Sequence, residues 1–254
     1  MPQQLDIQGR TKEEEAIEFL RQHEPSEGYY LGFSGGKDSV VIKELALRSC
    51  VKFKSFYAST GIEPPEVVSF IKRFHKDVIF LRPEKSFYNL LQKKSYPTQL
   101  ARWCCDELKK KPTQKINLNH RILGIRAEES QRRSKRGLKI NHYYESKYGK
   151  QIHYHPIFYW NEFDVWDFIE RHKLEYCKLY DEGFDRGVSC AVCPFFCGKN
   201  KTRLNLAMRK WPGIYKAFER SMEKLYEDRE WYRHKVKGKA YLFSDFMRNW
   251  YDAK

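Results

Sequence analysis

No apolar run in the 254-residue sequence approaches the ~18 residues that a membrane-crossing helix needs. The opening MPQQLDIQGRTKEEE has none of the basic start, apolar stretch and small-residue cleavage site of a secretory signal. Both absences point to a cytoplasmic protein without a membrane partner, where the seven cysteines stay reduced and serve as ligands or reactive groups rather than disulfides. No internal repeat is present. Acidic residues are in deficit, 33 Asp and Glu against 48 Lys and Arg, leaving a formal net charge of +15. With 17 Tyr, 17 Phe and 6 Trp besides, the composition suits a polyanion such as DNA or RNA, with rings available for stacking. The same charge would also suit a basic enzyme that meets only a nucleotide.

One stretch organises what is present. Ser34-Gly35-Gly36-Lys37-Asp38-Ser39 follows the apolar run Tyr29–Phe33 and precedes Val40–Leu47. That order predicts a buried strand, a tight glycine turn and a helix. Such a turn aims backbone N–H groups, two hydroxyls and Lys37 at one point beside the helix N-terminus, where unpaired amides and the helix dipole attract phosphate. Glycine allows close approach of the backbone to the ligand. It is not a Walker loop, in which four residues separate the first glycine from Gly-Lys.

Thr11 to His23 carries acids early, apolar residues at Ala16, Ile17, Phe19 and Leu20, and bases late, as a capped amphipathic helix does. Further strands are expected at Val51–Ser59, Val78–Leu81, Arg121–Arg126 and His153–Phe158, the second of these apolar on all sides as in a covered parallel sheet. Helices are expected from Pro64-Pro65 to about His75, at Phe87–Lys94, after Cys105 and at Glu162–His172. This alternation reads as an α/β fold, a parallel sheet with helices on both faces. Each motif lies where a strand has just ended, which fits one shared cleft. Residues 130–150, polar and basic, read as a mobile loop or substrate flap. The pattern from Lys199 is helical, with a long helix from about Ile214 to Lys235. The expected organisation is a nucleotide-binding domain over 1–198 that includes the cysteines, and a basic, aromatic helical C-terminal extension over 199–254.

Four cysteines form two close pairs, Cys104-Cys105 and Cys190-Ala191-Val192-Cys193, with Cys197 four residues further on. They could hold tetrahedral zinc, act as a redox pair, or bind a [4Fe–4S] cluster. Successive side chains diverge, so adjacent cysteines suit two corners of a cubane better than one zinc ion. Cys50 and Cys177 read as packing residues.

Other motifs accompany these. They are Thr60-Gly61-Ile62-Glu63, Arg102-Trp103 before the cysteine pair with Leu108-Lys109 after it, and Gly124–Ser130 with Arg132-Arg133. Pro156-Ile157 before Trp160, Asp164-Val165-Trp166 and Leu179–Phe184 complete the set. Over roughly residues 28–198 the chain resembles the phosphoadenosine phosphosulfate (PAPS) reductase family, in its iron–sulfur branch. The loop resembles the pyrophosphate loop (PP-loop) of the adenine nucleotide alpha hydrolase-like ATP pyrophosphatases. Those enzymes split ATP between its α and β phosphates and adenylate a substrate.

The resemblance implies that Cys104, Cys105, Cys190 and Cys193 ligate the cluster; Cys197 either replaces one of them or stands beside the cluster as a further thiol. It also implies ATP with Mg²⁺, the loop holding pyrophosphate, Lys37 screening its charge and Asp38 holding the metal. Thr60 and Glu63 would lie near ribose or adenine, and Arg126 and Arg132 would clamp phosphate. Two departures turn the reading from the reductases. No cysteine follows Cys197 to take up sulfite, and the loop keeps the full Ser-Gly-Gly-Lys-Asp-Ser spelling of adenylating members. The residues resemble those of the DndC-type DNA phosphorothioation proteins, which are much longer. The reading is therefore an adenylating sulfurtransferase acting on nucleic acid, with a cysteine desulfurase as a possible sulfur donor. Its alternatives are a sulfonucleotide reductase and a non-catalytic nucleic-acid-binding or regulatory protein. Structural readings stand beside these: Arg126, Arg132 and Arg133 as surface charges, Thr60–Glu63 as a plain turn, Asp164 as a helix cap and Trp166 as a core ring.

Overall fold

The computed structural model describes residues 9–136, 139–145, 149–184, 187–188, 190–197, 201–228 and 241–252, without the side chains of 132, 136, 143–145 and 149. Two compact units interleave along the chain. The first comprises Met1–Tyr57, Glu66–Leu81 and Thr113–Val188, and the second Ala58–Pro65, Arg82–Pro112 and Ser189–Lys254. The packing therefore does not divide at 198, because the segments around both cysteine pairs pack with the C-terminal helices. Tyr215 donates a hydrogen bond to the Ala191 carbonyl at 2.9 Å, and the Trp250 indole donates to the Pro97 carbonyl at 3.2 Å.

In the first unit, Thr11 and Glu14 form a reciprocal capping box that starts α1 (Lys12–Gln22). The strands are β1 (Tyr29–Gly32), β2 (Phe53–Ala58), β3 (Ile79–Leu81), β4 (His120–Ile122), β5 (Ile140–Glu145) and β6 (Gly149–Tyr154), in the sheet order β3-β2-β1-β4-β6-β5. β1 runs parallel to β2 and β4, and β4 parallel to β6, while β5 is antiparallel to β6. The order reverses between β1 and β4, so the loops leaving those strands diverge to opposite sides and open the crevice where ligands bind in such sheets. Leu31 of β1 pairs in register with Ser55 and Ile122, and both it and Ile122 are fully buried. Helix α2 (Lys37–Arg48) buries Val41, Ile42, Leu45 and Ala46 completely and packs against α1 and α8 (Glu162–Arg171). α3 (Pro65–Phe74) opens on proline, as Pro64-Pro65 predicts.

Three expectations are corrected. β3 is an edge strand and Ile79 is 44% exposed, so its apolar run is not covered on all sides. β4 ends at Ile122, and residues 123–126 continue as a loop towards the phosphate turn. Residues 130–150 are not simply a loop, for they include α7 (Gln131–Arg136), all of β5 and the start of β6. Ile140-Asn141-His142-Tyr143-Tyr144-Glu145 is too polar to announce a strand, and its pairing with β6 makes it one.

In the second unit α4 (Phe87–Lys94), α9 (Thr202–Lys210), α10 (Pro212–Asp228) and α11 (Phe243–Asp252) supply the core. The Phe87 and Trp103 rings stack at 5.7 Å, and those of Phe218 and Trp250 meet at 4.6 Å. α5 (Trp103–Cys105) runs without a break into a π-turn at Asp106–Lys110 and then α6 (Lys111–Gln114). The expected continuation of α10 over 229–235 lies outside the described residues. No described helix is long and apolar enough to cross a membrane.

His75 and His153 make the first unit sensitive to acid. Burial pushes each imidazole down to about 4, with Lys43 adding to the effect at His75, and Arg121 and His155 at His153. In the unfolded chain each takes up a proton near its ordinary value of 6.5. Their stability contribution is therefore present above that pH and is lost as pH falls towards about 4. Urea midpoints should fall from pH 7 to pH 5, and fall less in His75→Gln; equal slopes in both proteins would contradict this account.

Candidate functional site

The turn after β1 has the conformation its glycines permit. Gly35 takes φ +74°, and a Cβ there would come within 2.8 Å of the Val67 side chain. Gly36 is the N-cap of α2 and makes no side-chain cap hydrogen bond. Ser34 Oγ instead accepts from the Gly36 N–H at 3.3 Å and donates to Ser39 Oγ at 3.3 Å, while Ser39 donates to the Gly36 carbonyl at 2.7 Å. The hydroxyls thus brace the turn from within. The Lys37 N–H donates to the Tyr180 hydroxyl at 3.0 Å.

A charge network lies beside the turn. Arg126, 3% exposed, places Nε 2.6 Å from Asp38, Nη1 2.8 Å from Glu128 and Nη2 2.7 Å from Glu162. Lys37, equally buried, sits 3.2 Å from Glu162 and 3.8 Å from Asp38, with its ammonium 5.1 Å from the Tyr180 ring centre. Burial alone would pull the Arg126 pKa down, but Asp38 and Glu162 outweigh it and hold the guanidinium above its ordinary range. At Glu162 burial pushes up, and Lys37 and Arg126 reverse this, keeping the carboxylate below its usual range. Gly124 permits the approach, since a Cβ there would meet the Asp38 carbonyl oxygen at 3.1 Å.

The structure brings Ser34–Ser39 and Arg126 together and buries Arg126, against its reading as a surface charge. Arg133 pairs with Glu129 near the surface. The Arg132 side chain lies outside the described residues. Asp164 caps α8 with Asn161, as expected of a cap. Glu162, Glu128 and Tyr180 are the residues that motif reasoning missed. Tyr180 stands inside Leu179–Phe184, noted for its spelling without a role, and Glu162 reads only as the first residue of a helix.

The cysteines belong to the second unit. The Cys104 thiol donates to Cys105, which raises Cys104 and lowers Cys105; burial and the neighbouring Cys190 and Cys193 raise Cys104 further, while Lys109 and Arg102 help lower Cys105. Lys109 hydrogen-bonds Cys190, and the nearby Cys190, Cys105 and Cys193 sulfurs raise its pKa against the pull of burial. Burial pushes Cys193 up to about 11 and Cys197 up to about 12. Among the described residues, no three His, Cys, Asp or Glu side chains gather as they would on one metal ion. The donor set itself is all sulfur with a cation beside it, the chemistry that suits a polynuclear iron–sulfur group. Thr60 and Glu63 lie in this unit. Glu63 accepts from the N–H groups of Thr60 and Gly61, and Thr60 Oγ1 stands 3.5 Å from Cys190 Sγ. Cys177 is buried as expected, whereas Cys50 is exposed just after α2 with φ +57°, its thiol donating to the Arg48 carbonyl at 3.8 Å.

The chain belongs to the phosphoadenosine phosphosulfate reductase domain family, whose model matches residues 28–195. An uncharacterized protein of Methanocaldococcus jannaschii is 32% identical over 201 residues, covering 74% of this chain and 40% of the relative. A second protein of that organism is matched over 47% of its length, so the chain spans less than half of these curated relatives. The adenosine 5'-phosphosulfate reductase of Allochromatium vinosum is 26% identical, covering 72% of this chain and 75% of that one. In fold, the chain is similar to Candida glabrata FMN adenylyltransferase, at a TM-score of 0.51 and 14% identity, covering 68% of this chain and 60% of that one.

The two positive-φ glycines give a test of the turn. Gly35→Ala should cost roughly 2–4 kcal/mol, from backbone strain plus overpacking. Gly61→Ala, at φ +78° with nothing within 4 Å, should cost only about 1 kcal/mol. Equal losses in denaturant titrations would show that the Gly35 turn is not packed as described.

Proposed function

We propose that the chain is an ATP-dependent adenylating sulfurtransferase that carries a [4Fe–4S] cluster and sulfurates a nucleic acid. The observation that carries this reading is the intact Ser34–Ser39 turn at the head of a helix whose N-cap is Gly36, with two buried cations beside it. An acceptor oxygen attacks the α phosphorus of ATP, the bond to the α–β bridging oxygen breaks, and pyrophosphate leaves with that electron pair. A sulfur atom at the sulfide level then displaces AMP, taking with it the original oxygen, so the exchange is redox-neutral. The turn holds the β and γ phosphates and Lys37 screens their charge. Asp38 and Glu162 are the carboxylates available to Mg²⁺, which would release Arg126 from their side to the phosphate. Arg132 is the second guanidinium of the proposed clamp. Thr60 and Glu63 are reassigned from the nucleotide to the shaping of the Cys190 turn, on the strength of their hydrogen bonds. Cys104, Cys105, Cys190 and Cys193 would hold the cluster, which when bound supplies a sulfur carrier or a structural brace. A cysteine desulfurase would supply the sulfur.

A sulfonucleotide reductase is the second reading, favoured by the similarity to the Allochromatium enzyme. Anaerobic protein incubated with ATP, Mg²⁺ and candidate DNA or RNA should release AMP and pyrophosphate. Lys37→Ala and Asp38→Asn should each lose roughly 100-fold or more. Phosphate release without pyrophosphate, or sulfite formed from adenylyl sulfate and a thiol, would overturn the adenylation reading. The metal has its own test. Iron and acid-labile sulfide should appear in equal amounts and fall together in Cys104→Ser and Cys193→Ser; zinc in their place would exclude the cluster.

A further inference from the structure

The unit that holds the cysteines also holds the charge. Its three segments contain 23 Lys and Arg against 11 Asp and Glu, a net +12 of the chain's +15, while the first unit carries 25 against 22, or +3. Within that unit an aromatic side chain is left facing water beside the cysteines. In the short turn Pro194–Phe196, Pro194 and Phe196 are buried and Arg203 covers the Phe196 ring at 4.6 Å, but Phe195 is 53% exposed. The turn is held from both ends, because the Gln99 amide donates to the Pro194 carbonyl at 3.3 Å and to the Cys197 carbonyl at 3.2 Å. The Arg102 guanidinium lies 5.3 Å from the Phe195 ring centre, and the two residues stand two positions from Cys104 and Cys193 in sequence. Leu100, at 91% exposed, stands between Gln99 and Arg102 in sequence.

We propose that Phe195 and Arg102 form a stacking platform for an unpaired nucleobase, which presents a single-stranded segment of the acceptor beside the cysteines. This rests on the nucleic-acid reading above and narrows it to strands whose bases are unstacked. A ring face and a guanidinium plane recognise the flat π-face of a base, while the positive unit around them attracts the phosphate backbone. Charge complementarity commits the patch to a polyanion. The ring selects single strands, because a base inside a duplex has both faces already covered.

The test uses the full chain, purified anaerobically and without ATP, with fluorescein-labelled 15-nucleotide oligo(dT) and oligo(U) and with a duplex of equal length. Anisotropy titrations should show tighter binding of the single strands. Phe195→Ala should weaken that binding roughly 5- to 100-fold, as loss of one base–aromatic stack does, while Phe195→Trp retains it. Phe195→Leu keeps apolar bulk without a ring and must show the same loss as the alanine variant, with iron content unchanged. Arg102→Ala should weaken binding and flatten its salt dependence. Wild-type affinity in Phe195→Leu, or a duplex bound as tightly as the single strands, overturns the platform. Pyrophosphate release is read separately, so failure of adenylation and failure of the platform give different results.

Discussion

A buried guanidinium has to be paired, and in the first unit much follows from that requirement. Arg126 reaches Asp38 at the head of α2, Glu128 in its own turn and Glu162 at the head of α8. Its three contacts lock the loop after β4 to the phosphate turn and to a helix more than thirty residues later in sequence. The carboxylates keep part of their surface in water, whereas the guanidinium does not, so the cation is the member that cannot lose a partner without replacement. A phosphate is such a replacement. On the proposed reading, the network is a set of anions that a nucleotide and its metal would rearrange.

The second unit solves a different electrostatic problem. Sulfur groups crowd together there, and Lys109 and Arg102 are the cations that help lower Cys105. The π-turn beginning at Asp106 widens the helix immediately after the cysteine pair and carries Lys109 inside it, so the cation comes from the backbone irregularity that follows the pair. Thr60 and Glu63 act on the other pair, one against the Cys190 sulfur and the other through the backbone of the turn. On the proposed reading, a basic unit around a set of cluster ligands would also attract further anions, so that the two uses of positive charge coincide.

Much of the sheet was legible because the central strands are short, apolar and followed by glycine turns or proline helix starts. Tyr29–Gly32, the capped helix at Thr11 and the helix opened by Pro65 each follow from local rules. The β5–β6 hairpin was not legible, since its residues are polar and only the partner strand makes them a strand. The phosphate turn could be read from its six residues, and the cysteine pairs from their spacing. What could not be read was who pairs with whom. Glu162 and Tyr180 have unremarkable neighbours in sequence, and their importance comes from tertiary contacts with Lys37. Thr60 and Glu63 were associated with the nucleotide because they follow a strand; the hydrogen bonds they make, to the backbone of their own turn and to Cys190, have no counterpart in the local sequence pattern.

That interleaving constrains how the protein comes into being. The chain passes from one compact unit to the other five times, and the last segment of the first unit closes only at Val188. During synthesis Cys104 and Cys105 emerge long before Cys190 and Cys193 exist, so two thiols must wait unpartnered while the rest of their unit is made. Neither unit can be completed before the other is well advanced, and no single cut in the chain would release either one whole. The four cysteines can therefore come together only once Cys193 has been made.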